Sequence, residues 1–214
     1  MGRRALPKLD PTLNLRPVLV ALDGLPERWD TAAVFGRAAP LEVELGTGKG
    51  LFLAAAAAAD PATNFLGSEL AFKYAAHAAA RAVKRGLVHV RVVHGDAARL
   101  VHEKLPYACA RAIHVYFPDP WWKKRHHKRR LMRESVVRDI ERVLAPGGRL
   151  HFWTDVEEYF RLTVELIGQV TRFTGPLAVE ERAAEHDLDY RTHFERRMRL
   201  HDLPVFRSEF QKSL

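Results

Sequence analysis

Short apolar runs alternate along this chain with longer stretches of helical periodicity, beginning near residue 40. The runs typical of strands occupy residues 41–45, 64–69, 89–94, 111–117 and 149–154. Helices are predicted over residues 51–59, 71–85 and 130–144. This alternation predicts an α/β fold built from βαβ units, with a mostly parallel sheet, right-handed crossovers and helices on both faces.

Turn chemistry separates these elements and organises the end of the chain. Gly86 is typical of the position just after a helix, and residues 145–148 (Ala-Pro-Gly-Gly) predict a turn. A further helix is expected from Val156, and residues 204–210 are expected to form an antiparallel edge strand. Residues 1–16 lack periodicity and predict a flexible basic tail, which leaves residues 17–214 as one domain.

Composition narrows the class of protein. The 214 residues carry 34 Lys and Arg against 26 Asp and Glu, a net charge of +8 that favours polyanionic partners. No apolar run approaches the ~18 residues of a membrane span, and the basic amino terminus lacks the apolar core of a secretory signal. The lone Cys109 excludes an internal disulfide. A cytoplasmic protein without membrane contact is expected.

Acidic and glycine residues gather near the ends of the predicted strands. In an open parallel sheet, ligands bind at the carboxyl ends of strands. Gly46 and Gly48 allow the first strand to turn sharply, so that a ligand can approach the backbone. Glu69 follows Gly46 by 23 residues, close to the ~20-residue spacing of acids that bond ribose hydroxyls. With Glu44 and Asp96, this spacing predicts an adenosine-bearing ligand, although a tight turn without a ligand stays possible.

The glycine spacing also bears on which cofactor is bound. Pyrophosphate sites favour G-x-G-x-x-G, whereas here the third glycine comes one residue early. Glu44 lies just upstream of the loop, where a carboxylate would repel pyrophosphate and suit a cation. The electrostatics therefore favour S-adenosylmethionine over NAD, and a dehydrogenase reading also lacks a Tyr-x-x-x-Lys signature.

The segment from Tyr116 to Arg130 combines an acid, aromatic rings and cations. Asp119 lies between two prolines, which restrict its backbone. Trp121 and Trp122 offer faces for base stacking, with core packing as the alternative. The basic run beyond the tryptophans, which includes Arg125, His126, His127, Lys128, Arg129 and Arg130, can neutralise phosphates. The position of these cations beside Asp119 favours RNA or DNA contact over a merely solvated basic helix.

Six motifs together resemble one family. They are ELGTGKG (44–50), GSEL (67–70), DPW (119–121), KKRH (123–126) with KRR (128–130), FWTD (152–155) and THFE (192–195). From about residue 41 onwards, the chain resembles the bacterial tRNA (guanine-N7-)-methyltransferases. The glycine loop is shared by many methyltransferases, whereas DPW with KKRH is distinctive. Trp122 departs from the proline usual there, and Phe117 from a more polar stretch.

The resemblance implies a class I methyltransferase with a doubly wound, seven-stranded, Rossmann-like sheet. It implies methylation of N7 of guanosine 46 in the variable loop of tRNA. The cofactor residues are then Glu44, Gly46, Gly48, Glu69, Asp96 and Asp119, with Asp119 also catalytic. The substrate residues are then Lys123, Asp155, Thr192 and Glu195.

Structural alternatives accompany these assignments. Thr154 and Asp155 also predict a helix N-cap, and Thr192 with Glu195 has the spacing of a capping box. N7 of guanine has a free lone pair, so the reaction needs no strong base, and the sequence holds no spacing typical of a metal site. A non-catalytic RNA-binding module, or a methyltransferase acting on another nucleic acid, stays open, as do monomer and homodimer.

Overall fold

Backbone hydrogen bonds join eight strands into one sheet in this computed structural model, which describes residues 6–121, 124–179 and 192–214. The strands are β1 (Leu19–Ala21), β2 (Leu41–Leu45), β3 (Asn64–Glu69), β4 (Val90–His94), β5 (Ala110–Tyr116), β6 (Leu144–Thr154), β7 (Thr174–Leu177) and β8 (Phe206–Gln211). Their order across the sheet is β1-β4-β3-β2-β5-β6-β8-β7. All pairs from β1 to β6 are parallel, and β8 is antiparallel to both β6 and β7.

Helices connect the parallel strands. They are α1 (Thr31–Phe35), α2 (Leu51–Ala59), α3 (Phe72–Lys84), α4 (Ala97–Arg99, extended by a wider turn over Leu100–Lys104), α5 (Glu134–Val143), α6 (Glu157–Val170) and α7 (His193–Leu200). No helix in the described ranges is both long enough and apolar enough to cross a lipid bilayer.

The sheet is covered on both faces, as the alternating pattern predicts. The alanine-rich faces of α2 and α3 pack with Phe65 and Val90 in one buried cluster. Val137 and Ile140 of α5 pack with Phe152 of β6 in a second cluster. Small side chains on α2 and α3 allow these helices to approach each other closely, because alanine adds little bulk at the contact. The predicted doubly wound architecture is confirmed.

The strand count and the carboxyl-terminal edge differ from expectation. The sheet has eight strands rather than seven, since the three residues of β1 pair with β4. The last strand, β8, is antiparallel as predicted but lies one place inside the edge, which β7 forms. The short β7 contains Gly175 and Pro176, which weaken the sequence signal for a strand.

Two local boundaries also differ. Residues 145–148 form an excursion within β6, because the pairing with β5 passes from Ala110–Leu144 directly to Ala112–Arg149. The predicted helix over 130–144 begins only at Glu134, since Arg133 is extended. The helix end at Gly86 is confirmed: its φ is +64° and the following Leu87 N–H donates to Ala82 O at 3.0 Å.

Backbone bonds bring the carboxyl ends of the central strands together. Gly46 N–H donates to Ser68 O at 3.0 Å, which ties the loop after β2 to the end of β3. Gly95 N–H donates to Glu69 O at 3.0 Å, which ties the end of β4 to the same place. The loops after β2, β3 and β4 therefore form one continuous rim.

Gly50, the residue before α2, tests how closely the helices pack. Its φ is +69°, and a Cβ added there would lie 2.8 Å from the Cβ of Ala78 on α3. We expect Gly50→Ala to lower the free energy of unfolding by about 2–4 kcal/mol, since backbone strain and overpacking add.

Gly86→Ala is the matched control, because its φ is +64° and an added Cβ meets nothing within 4 Å. It should cost only about 1–2 kcal/mol, the backbone part alone. Urea unfolding of both variants measures the difference, and equal losses would contradict the steric contribution at Gly50.

Candidate active site

The loop after β2 places two carboxyl groups beside each other. Glu44 is the penultimate residue of β2, is 3% exposed, and accepts a hydrogen bond from Thr47 Oγ1. Glu69 ends β3, and its Oε2 accepts from Gly48 N–H at 2.9 Å while Oε1 accepts from Ala71 N–H at 2.9 Å. The glycine loop is thus hydrogen-bonded to both acids, through Thr47 to Glu44 and through Gly48 to Glu69.

Burial controls the charge of Glu44. Loss of water raises the pKa of Glu44 to about 7, against the lowering effect of the Thr47 hydrogen bond, and the charge of Glu69 adds to the rise. Near neutral pH this carboxyl is therefore divided between its neutral and ionised forms. A cation placed against it would favour the ionised form.

Asp96 is positioned as the cap of a short helix. Its Oδ1 accepts from Ala98 N–H at 2.7 Å, and its side chain is exposed at the rim. Since Gly95 is bonded to the backbone of Glu69, Asp96 lies next to the end of β3. The structure brings Glu44, Glu69 and Asp96 to one rim, as the sequence predicted.

Asp119 reaches the same edge of the sheet from the next strand. Strand β5 pairs with β2, and the chain leaves β5 at Phe117, whose φ is +50° and whose N–H donates to Trp153 O at 2.8 Å. Asp119 itself is exposed. Its negative charge adds to the burial that raises the pKa of Tyr159 on α6 to about 12. Asp119 therefore follows a strand that neighbours β2 in the sheet, and its charge lies close enough to Tyr159 to influence it.

The predicted RNA-binding segment is a tight helical turn, Lys124–Arg129, followed by Arg130. Arg125 and Arg129 are exposed, and the Arg129 guanidinium lies 5.2 Å from the ring centre of Trp121. The ring of His126 meets Trp121 edge-on at 5.7 Å. Trp121 therefore supports the cationic turn and is not part of the core. Trp122 and Lys123, and the side chains of His127 and Lys128, lie outside the described residues.

Arg130 joins the cationic turn to the Asp119 loop. Its Nε donates to Pro120 O at 2.7 Å, and its guanidinium lies 4.9 Å from the ring centre of Tyr159. Arg130 is half-buried, and its two contacts connect the Asp119 loop to Tyr159 of α6. The exposed cations on this turn that the structure describes, Arg125 and Arg129, are the ones best placed to meet phosphate.

The remaining predicted substrate residues differ in their surroundings. Asp155 is half-buried after β6, and α6 is capped at Val156 without a side-chain hydrogen bond, so the N-cap alternative for Asp155 is wrong. Thr192 caps α7, since its Oγ1 accepts from Glu195 N–H at 2.9 Å. Glu195 is 3% exposed, with Oε1 lying 3.5 Å from Arg207 Nη2.

Sequence patterns did not point to several residues that build this site. Thr47 lies between two glycines of the loop, and only its contact with Glu44 reveals its role. Phe117 and Phe194, 77 positions apart along the chain by 194 − 117, pack with ring centres 4.9 Å apart. Such contacts have no local signature, because they depend on which loops the fold brings together.

A buried polar row underlies the site on the same sheet. His114 Nε2 lies 2.9 Å from Glu42 Oε2, and the ring of His114 stacks on His151 with centres 4.6 Å apart. The His151 contact lowers the pKa of Glu209 to about 2, with help from Arg149. The row crosses β2, β5, β6 and β8, and it stabilises the strands that carry the site.

Comparisons with known proteins agree with this fold. A family model described as a putative methyltransferase matches residues 38–208. In solved structures, the fold is similar to an antibiotic-related methyltransferase (TM-score 0.60, 18% identity, 84% of this chain and 92% of that chain). It is also similar to the aminoglycoside resistance methyltransferase NpmB1 (TM-score 0.53, 20% identity, 81% and 87%). These likenesses concern the fold.

Curated relatives are more similar in sequence. The chain is 45% identical to the tRNA (guanine-N(7)-)-methyltransferase of Rhodopirellula baltica, over 99% of this chain and 80% of the relative. It is 40% identical to that of Methylococcus capsulatus (77% and 68%) and 34% identical to that of Aeromonas hydrophila (86% and 77%). Together with the rim of acids and the adjoining cationic turn, these matches show that the chain belongs to the tRNA (guanine-N(7)-)-methyltransferase family.

Proposed function

We propose that the protein transfers a methyl group from S-adenosylmethionine to N7 of guanosine 46 in the variable loop of tRNA. The observation that carries this proposal is the buried Glu44 carboxyl, joined with Glu69 and Asp96 on one rim beside a turn of exposed arginines. Family membership supports the reaction type and the cofactor. With tRNA as substrate, the cytoplasm is the expected compartment.

The chemistry of the donor set fits a cationic, phosphate-free cofactor. A Cβ added at Gly46 or Gly48 would meet nothing within 4 Å, so the glycine loop borders open space. Glu44 and Glu69 hold negative potential at that loop, which would repel a pyrophosphate. S-adenosylmethionine supplies an electrophilic methyl group on a positively charged sulfur. We assign its binding to Glu44, Glu69, Asp96 and the glycine loop, with Asp119 at the boundary to the substrate.

The residues of the chain act by orientation and electrostatics. N7 of guanine carries a free lone pair, so no residue has to remove a proton before methyl transfer. Asp119 is proposed to accept hydrogen bonds from N1–H and the amino group of guanine and to stabilise the positive charge that develops on the purine. Its exposed position next to the rim supports this role.

The RNA-binding side is separate from the cofactor side. Arg125 and Arg129 are exposed on the turn after the Asp119 loop, where they would neutralise backbone phosphates. Asp155, Thr192 and Lys123 are proposed substrate contacts. Glu195, the fourth predicted substrate residue, is 3% exposed and is proposed to act indirectly, by supporting Thr192. His126, His127, Lys128 and Arg130 complete the proposed RNA-contacting segment.

Product mapping tests the reaction directly. We expect labelled S-adenosylmethionine and unmodified tRNA to yield label only in 7-methylguanosine at position 46, measured by nuclease digestion and chromatography of the nucleosides. A tRNA with adenosine at position 46 is the matched control and should accept no label. Label at another atom or position would contradict the proposal, and RNA binding without cofactor heat in calorimetry would support a non-catalytic binding module.

The raised pKa of Glu44 predicts a pH-dependent affinity for the cofactor. With a pKa of about 7, ionisation grows between pH 6 and pH 8, so the dissociation constant for S-adenosylmethionine should fall over that interval. Glu44→Gln should bind more weakly at pH 8 and lose this part of the dependence. Calorimetry of both proteins separates the carboxyl from the ligand's own titration, and parallel curves would contradict the assignment.

The same group affects folding without ligand. Because the pKa of Glu44 is raised above its ordinary value of 4.5 in the folded state, the protein loses stability as pH rises from about 4.5 to about 7. Above that interval the loss is constant. Thermal unfolding of Glu44→Gln should lack this decline.

Asp119 is tested by removal of its charge alone. We expect Asp119→Asn to lower kcat about 10²-fold or more, because a fixed charge near the reacting ring is lost. Asp23→Asn is the control, since Asp23 makes a surface ion pair with Arg99 at 3.1 Å and its side chain is 80% exposed. Steady-state methylation of tRNA measures both variants, and near-normal turnover of Asp119→Asn would rule out its catalytic role.

A further inference from the structure

One set of buried contacts belongs neither to the rim of acids nor to the turn Lys124–Arg129. It lies where β5, β6, β8 and α7 meet. Arg207 of β8 has a side chain only 8% exposed, which is unusual for a residue that always carries charge. Its position follows from the antiparallel register, which sets Arg207 opposite Trp153 of β6. This register brings a charge into the sheet where the chain leaves β5.

The contacts of the Arg207 guanidinium include an acid, a backbone carbonyl and an aromatic ring. Nη2 lies 3.5 Å from Glu195 Oε1, Nη1 donates to Val205 O at 3.3 Å, and the guanidinium carbon lies 5.0 Å from the ring centre of Trp153. Trp153 and Glu195 are 4% and 3% exposed, so the group is shielded from water. Glu195 Oε1 also lies 3.6 Å from Arg199 Nη1, so this buried carboxylate is compensated by more than one arginine. Loss of Arg207 is nevertheless costly, because it removes one of the cations that compensate a charge shielded from water.

Both partners of Arg207 are connected to Phe117, which lies two residues before Asp119. Trp153 accepts the N–H of Phe117 at its carbonyl oxygen, at 2.8 Å. Glu195 lies on the first turn of α7, next to Phe194, whose ring packs 4.9 Å from that of Phe117. Phe117 has a φ of +50°, and Pro118 and Asp119 follow it directly. The strained residue before the loop is therefore held from two sides.

We propose that Arg207 is a positioning residue, which fixes the Asp119 loop and the amino terminus of α7 by binding Glu195 and Trp153 together. The inference rests on the proposed role of Asp119. In this arrangement Glu195, a predicted substrate residue, acts by holding Thr192 and α7 in place through Arg207. The effect of Arg207 on methyl transfer is a matter of geometry, since misplacement of a reacting group by about 1 Å lowers rates about 10²-fold.

The test compares the loss of two arginine–glutamate pairs that each have one member on β8. Arg207→Met removes the contact with Glu195. Arg149→Met removes the pair with Glu209, at 2.8 Å, on a side chain that is 49% exposed and distant along β6 from the Asp119 loop. We expect Arg207→Met to lower kcat for tRNA methylation about 10- to 100-fold, with the dissociation constant for S-adenosylmethionine within about threefold of the wild type. Arg149→Met should keep kcat within about twofold.

Two further variants separate positioning from stability. Arg207→Lys keeps the charge but loses the planar guanidinium that covers Trp153, and should recover only part of kcat. The double variant Arg207→Met with Glu195→Gln should lose less than the product of the two single losses, because both single changes break the same Arg207–Glu195 contact. Rates are normalised to the folded fraction measured by thermal unfolding.

Each outcome bears on the proposal. An Arg207→Met enzyme with wild-type kcat per folded molecule, or a double variant whose losses multiply, would overturn the positioning role. If the wild-type protein methylates tRNA at another atom, the proposed function fails, while the kcat comparison still decides the role of Arg207. If Asp119→Asn retains activity and Arg207→Met does not, Arg207 acts through α7 and not through Asp119, and that would overturn the proposal as stated.

Discussion

The burial of one carboxyl group near the end of β2 controls the electrostatics of the proposed cofactor site. Glu44 lies on a central strand between β3 and β5, and the glycine loop closes over it through Thr47. An ionised carboxylate without water is costly, so the pKa rises to about 7. A cationic ligand would stabilise the ionised form of Glu44. An acid beside the glycine loop therefore suits a cationic ligand, whereas it would disfavour a phosphate at the same loop.

The order of the strands divides the site into two electrostatic halves. Strands β2, β3 and β4 carry acids to one rim, while β5, next to β2, carries the chain to Asp119 and then to the cationic turn. A positively charged donor and a negatively charged RNA are therefore offered complementary surfaces only a loop apart. The contacts of Arg130 behind the loop, and of Phe117 before it, fix the boundary between these halves.

Residue spacing predicted the parallel part of the fold well, because strand and helix periodicity are local. The strands that start at Leu41 and Asn64 were found as expected, as were the helix at residues 51–59 and its partner α3. The missed elements are short or irregular. Strand β1 has three residues, β7 contains Pro176, and the excursion at residues 145–148 interrupts pairing without ending β6. Their existence depends on a neighbouring strand that supplies hydrogen bonds, which no local pattern records.

The amino-acid sequence by itself determined the alternation of elements, the acids at the strand ends and the density of cations after Asp119, since each is a property of neighbouring positions. Only the tertiary structure decided that Glu44 is buried, that Trp121 supports Arg129, and that Glu195 is paired with Arg207. Burial and pairing arise when segments distant along the chain meet, and they set the charge and freedom of a side chain. The same residue type is therefore a ligand, a cap or an anchor according to what the fold places against it.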